Sequence, residues 1–129
     1  MKKVLFIVLV LSLLVPVLAS AQWKNGNAIT VGWDAAEGAT SYKIYAKPEA
    51  GGSETFMIKV DGATQGTATF VTEGRWLLGV SSVKLVGGTE VESTTKCWSN
   101  DNTCTFQGIA FGLSYIVPPQ APKGFRTIN

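Results

Sequence analysis

The chain has 129 residues, with 11 Lys or Arg against 9 Asp or Glu and no His. Once any targeting segment is set aside, that length holds one domain. Without His there is no Ser-His or Cys-His nucleophile and no imidazole metal ligand, which excludes a large share of hydrolytic and zinc chemistry.

The first element is a targeting segment. A basic start, MKK, precedes the uncharged apolar run VLFIVLVLSLLVPVLASA, and small residues stand at Ala19 and Ala21. This is the three-part layout of a secretory signal, residues 1–21, with cleavage expected after Ala21. An uncleaved anchor is the alternative, because Val4 to Ala19 approaches the roughly 20 apolar residues that span a bilayer. Pro16 and the small-x-small end favour cleavage, and no Cys follows the run to carry a lipid. With Lys2 and Lys3 removed, the 11 basic residues become nine, against nine acidic ones. A mature chain of zero side-chain charge gives no electrostatic reason to expect nucleic acid or an acidic membrane as partner. A secreted or periplasmic protein with no stable membrane insertion is expected.

From Ala28 onward, short runs of β-branched and aromatic residues are broken at regular intervals by Gly, Asp, Asn or Pro, and no segment holds a helical period. That rhythm predicts an all-β sandwich. AITVGWDA places Ile29, Val31 and Trp33 on one face by alternation. TSYKIYAK places Tyr42, Ile44 and Ala46 inward, with Lys43, Tyr45 and Lys47 outward. TFMIKV, residues 55–60, and TATFV, residues 67–71, are the next strands. RWLLGVSSVKL offers Trp76, Leu78 and Val80 on one face. Gly87 and Gly88 then supply the positive φ of a tight hairpin before TEVESTTK.

Cys97 and Cys104, the only cysteines, bracket the turn-rich stretch CWSNDNTC. An exported chain meets an oxidising compartment, so a disulfide is expected. Closing so short a loop contributes roughly 2 to 3 kcal/mol on the chain-entropy model. A redox or metal pair is the alternative, with no His and no second cysteine pair to support it. Beyond the loop, IAFGLSYIV, residues 109–117, reads as one more strand.

VGWDAAEGATSYKIYAK and FVTEGRWLLGVSSV together resemble the fibronectin type III family, over residues 28–96. Trp33 matches that family's core Trp, residues 34–40 its polar bend and Tyr42 the start of the following strand. Phe70 and Trp76 stand where the family has a Leu and, six residues on, a Tyr. The resemblance implies a fibronectin III-like (immunoglobulin-like) β-sandwich that recognises partners through loops: residues 34–40 with Asp34 and Glu37, residues 61–66 with Asp61, and residues 85–89 with Gly87 and Gly88. One departure matters. The family's Tyr bonds backbone through its hydroxyl, and Trp76 has only an indole N–H, so that bond is not carried over.

In the same family the first strand opens with Pro-x-x-Pro-x-x-Leu. Counting back from Trp33 places that Leu near Ala19, inside the signal, so only QWKNGN precedes the strand of Ile29 and the first strand is expected to be missing. The tail PPQAPKGFRTIN carries the same spacing in Pro119, Pro122 and Phe125. It is read as a remnant of a tandem array or as a segment that fills the first-strand slot, of its own domain or of a second molecule. The chain thus divides into residues 1–21, a fibronectin III-like core at 22–96, and residues 97–129 with the disulfide loop, an extra strand and the tail.

The remaining residues offer little chemistry. Asp34 and Glu37 are a carboxylate pair in an exposed turn, where acids are ordinary turn residues. The glycine pairs feed strands and not the helix N-terminus that a phosphate cradle requires. SNDNT holds one carboxylate, Asp101, too few for calcium. Trp23, Tyr45, Trp98 and Tyr115 are read as covering rings or as a sugar-stacking row. The function expected is an exported, non-enzymatic binding or structural module with no cofactor, making protein contacts through loops or strand addition, with self-association through the tail. A carbohydrate-binding accessory module is the alternative.

Overall fold

The structure is a computed structural model that describes residues 21–129. Apart from Ala21, the expected signal segment lies outside the described residues. Among those residues the fold is all-β, with nine strands and one short 3-10 turn, Phe106–Gly108. No helix among them is long and apolar enough to cross a membrane.

The strands form two sheets. The larger is built on β6 (Gly74–Val86), whose one edge pairs antiparallel with β3 (Ser41–Pro48), which in turn pairs with β4 (Thr55–Asp61). The other edge of β6 is shared by three strands at successive levels. Trp76 and its neighbours pair with β9 (Phe111–Tyr115), Gly79 and Val80 with β8 (Cys97–Trp98), and Val83 to Val86 with β7 (Thr89–Glu92). A parallel strand, β1 (Gln22–Asn25), completes the sheet beyond β9. The smaller sheet is one antiparallel pair, β2 (Ala28–Gly32) with β5 (Gln65–Thr69).

A single core joins them. Ile29 and Val31 of β2 and Ala68 of β5 meet Ile44 and Ala46 of β3, Leu78 of β6 and Leu113 of β9. The period-2 pattern decides the faces: Ile44 and Ala46 are fully buried, while Lys43, Tyr45 and Lys47 stand on the opposite side of β3. Burying a side chain such as Leu113 contributes on the order of 1.5–3 kcal/mol. Phe70 stacks on Trp76 with ring centroids 5.4 Å apart. The Trp76 indole N–H donates to the carbonyl of Thr72 at 3.2 Å.

Several boundaries differ from the sequence expectation. QWKN forms β1, because its backbone pairs with β9 where no hydrophobic alternation signals a strand; the segment expected to be strandless is an edge strand of the large sheet. β2 ends at Gly32, although the Trp33 N–H still bonds the Thr64 carbonyl at 3.0 Å. The strand expected at 67–71 lies at Gln65–Thr69, since its pairing with β2 runs from Gly32 opposite Gln65 to Ala28 opposite Thr69. The strand expected at 109–117 covers Phe111–Tyr115. After it the tail forms no strand, and Phe125 is completely exposed. The tail does not occupy its own domain here.

Gly112 of β9 fixes the place of β1. A Cβ there would stand 2.8 Å from the Trp76 carbonyl oxygen and clash with the Trp23 ring, and backbone cannot yield as a flexible side chain can. Gly112→Ala is therefore expected to lower stability by about 1–3 kcal/mol and to dislodge Trp23, read as a reduced urea midpoint with an altered Trp fluorescence. An unchanged midpoint would mean that β1 does not seat on β9 as described.

Candidate binding cleft beside the open edge of β2

The backbone of β2 is satisfied on one side only. Trp33 donates to Thr64 and Phe70 donates to the Asn27 carbonyl, which places Asn27, Ile29, Val31 and Trp33 in the hydrogen-bonded pairs with β5. Ala28, Thr30 and Gly32 consequently direct their N–H and C=O groups away from β5, and among the described residues no strand pairs with them. β2 carries no charged residue, unlike the edge strands β4 and β1, which hold Lys59 and Lys24. Charged residues on an edge discourage further pairing; an uncharged edge invites it.

Beside this edge lies a cleft of about 970 Å3 between the end of β2, the middle of β6 and the disulfide segment. That volume is at the upper end of the range typical of ligand sites. Gly32, whose backbone points outward, lies in its wall next to Trp33. The Trp33 ring packs on Tyr42 at 5.2 Å, and the Tyr42 hydroxyl accepts the Ala36 N–H at 2.9 Å, so the 34–40 bend is anchored to the core. Asp34 is the one charged side chain of the lining among the described residues; the rest is apolar or carries neutral hydroxyl and amide groups. Two polar atoms of lining residues, Trp33 Nε1 and Thr105 Oγ1, are buried without a hydrogen-bond partner. Each such unmade bond costs roughly 1–3 kcal/mol.

The far wall is held by the disulfide. Cys97 and Cys104 are bonded, with Cα atoms 5.9 Å apart. Between them Ser99 is buried and ties the segment to β6: its N–H donates to the Leu78 carbonyl at 2.7 Å and its Oγ accepts the Leu78 N–H at 3.0 Å. Its carbonyl accepts the Phe111 N–H at 2.9 Å. The Asp101 carboxylate accepts both the Thr103 hydroxyl, at 2.6 Å, and the Thr103 N–H, at 3.0 Å. Those bonds hold it below the usual carboxylate range and make it a turn residue. Among the described residues no three His, Cys, Asp or Glu side chains converge as metal ligands would.

The aromatic residues on the opposite face of the large sheet are engaged. Trp98 lies against Gly79, where a Cβ would stand 2.7 Å from the ring, and the Lys47 ammonium is 4.0 Å from the ring centroid. Trp23 likewise lies against Gly112 beneath the Arg75 guanidinium, 3.8 Å from its centroid. Tyr45 packs edge-on to Phe56 with Lys96 over its ring; Tyr115, on the inner face with Leu113, packs on the core. The Tyr45 hydroxyl donates to Glu92 at 2.7 Å, and Ser81 donates to the same carboxylate oxygen at 2.6 Å. Lys43 bridges Glu90 and Glu92, and Lys59 bonds Glu90 and reaches Asp61.

The loop residues singled out from the sequence are therefore divided. Asp34 borders the cleft, whereas Glu37 faces a smaller hollow of about 220 Å3 by β7. Asp61 is joined through Lys59 to β7 and hence to the Gly87–Gly88 hairpin, whose φ values are +58° and +82°. Pro119, Pro122 and Phe125 lie apart on the exposed tail. Sequence reasoning missed Thr105, Phe106 and Gln107 as cleft residues; Phe106, an apolar residue inside a turn-rich stretch, was the available signal. Neither a family model nor a curated protein matches the chain.

The charge network makes stability depend on pH in two directions. Glu90 is held below its ordinary value of 4.5 chiefly by the Lys59 hydrogen bond, and Glu92 chiefly by the Ser81 hydrogen bond. Their contribution is complete above the unfolded-chain value and disappears as pH falls through the lowered folded-state values. Tyr45 is pushed from 10.0 up to about 12 by burial and by Glu92, so its contribution holds below the unfolded value and is lost as pH rises through the folded one. Urea midpoints followed from neutral pH into acid should fall less steeply for Glu92→Gln than for the parent; parallel curves would show that Glu92 carries no linkage.

Proposed function

We propose that this protein is an exported, non-enzymatic binding module of fibronectin III-like sandwich form that works by strand addition, taking an extended polypeptide segment along β2. The observation that carries the reading is the outward backbone of Ala28, Thr30 and Gly32 beside the cleft. Strand addition satisfies such groups and leaves alternate side chains of the guest pointing into the site. The stack of Trp33 on Tyr42 and the Trp76 bond to Thr72 support the fibronectin III-like form. The parallel pair of β1 with β9 and the two-stranded second sheet are the features it must accommodate. The disulfide is consistent with a secreted or periplasmic site of action.

The guest is the tail of a second copy of this chain. Residues beyond Val117 pair with no strand, and they display Phe125 and Ile128 to solvent. Prolines interrupt the tail as far as Pro122, so the continuous run of N–H donors is Lys123 to Asn129, long enough to match the five residues of β2. Gly124, now at φ +69°, must extend on docking, which glycine does freely. The carbohydrate reading has less support, because the Trp23 and Trp98 rings each rest on a glycine with a cation over them.

Thr30→Pro tests the edge itself. It removes an outward N–H, at a position where edge strands accept proline, and spares the backbone bonds of β2 to β5 at the cost of the exposed Thr30–Thr67 hydroxyl bond. The parent should gain mass with concentration in sedimentation, and both Thr30→Pro and deletion of residues 119–129 should stay monomeric with native circular dichroism. Parent protein that is monomeric throughout, or Thr30→Pro protein that associates as the parent does, would overturn the reading.

A further inference from the structure

Three unfavourable features fall on three consecutive residues of one cleft wall. Thr105 Oγ1 is buried without a partner. Phe106 is 81% exposed. Gln107 sits at φ +56°, the one non-glycine residue with positive φ among those described. All three line the cleft. Strained backbone and orphaned polar groups persist only where the surroundings hold them, and they cluster at binding sites. Here the holding is visible: the Cys97–Cys104 bond precedes the turn, and the Gly108 and Ile109 N–H groups close it onto the Thr105 and Phe106 carbonyls at 3.1 and 3.2 Å. The folded domain makes little use of the Phe106 ring.

We propose that Thr105, Phe106 and Gln107 are the specificity wall of the cleft, with Phe106 packing against a large apolar side chain of the added strand, Phe125 of a second copy. This rests on the strand-addition reading and extends it from the backbone of the guest to its side chain. The strand bonds along β2 are indifferent to sequence, so discrimination has to come from residues that face the guest's side chains. Phe125 is the most exposed large apolar residue of the chain's described part and lies within the proline-free run of the tail. Lys123 and Arg126 on either side of it complement Asp34, the single charge of the lining.

The test is a double-mutant cycle between the mature protein and a labelled peptide of residues 116–129. Phe106→Ala in the protein and Phe125→Ala in the peptide should each weaken binding by about tenfold or more, as buried aromatic anchors do. Applied together they should cost little beyond either alone, because the two rings act on each other. Phe106→Leu should restore most of the affinity, and the high exposure of Phe106 predicts an unchanged unfolding midpoint for both variants. If the peptide binds the parent and Phe106→Ala equally, or if the two effects simply add, the wall is wrong while strand addition stands. If the peptide binds neither protein, the strand-addition reading falls and the wall falls with it.

Discussion

Everything distinctive about this domain follows from β2 having a neighbour on one side only. Two strands, β2 and β5, lie over a sheet built from seven, and two strands cannot cover that width. The core is sound where they do lie, around Ile44, Ala46, Leu78 and Leu113. Past the outer edge of β2 the same sheet continues through β8 and β9 with no strand above it among the described residues, and the space becomes the cleft. The exposed backbone of Ala28, Thr30 and Gly32 and the shortage of apolar cover are thus one defect seen from two directions.

β5 shares the one-sided pairing and the lack of charge, whereas the other edges are occupied or charged. β5 leaves β4 through the turn at Gly62 and crosses close above Ile58 and Val60, as the space around Gly66 shows. β4 and β1 carry lysines, and β4 is further occupied by the Lys59, Glu90 and Asp61 pairs. On the outer face, Gly79 and Gly112 let Trp98 and Trp23 lie flat, and cations cover both rings. Individual surface ion pairs contribute little, but here they restrict where another strand can add. Of the two strands of the small sheet, both uncharged, β2 is the one that borders the cleft.

Much of the fold was legible because alternation is local. Tyr42, Ile44 and Ala46 turned inward as their spacing required, and Gly87–Gly88 made its hairpin because positive φ is cheap for glycine. The short span between Cys97 and Cys104 is bridged. What the sequence concealed depends on distant partners. QWKN has no alternation, and its strand exists only because β9 offers an edge in parallel register. The bare edge of β2 is a property of what does not pair with it, which no residue of β2 announces. Gln107 at positive φ was equally hidden, since only the disulfide and the surrounding turn hold it there.

Amide hydrogen exchange along β2, followed residue by residue with and without the peptide of residues 116–129, tests strand addition most directly. Alone, protein lacking residues 119–129, in which no tail can dock, should protect Ile29, Val31 and Trp33, which face β5, and leave Ala28, Thr30 and Gly32 to exchange rapidly. Saturation with the peptide should slow those three amides by about a hundredfold or more, in line with bonds that open only when the guest leaves. Protection of Ala28, Thr30 and Gly32 before any peptide is added, or fast exchange that the bound peptide leaves unchanged, would contradict the open edge on which the proposed function depends.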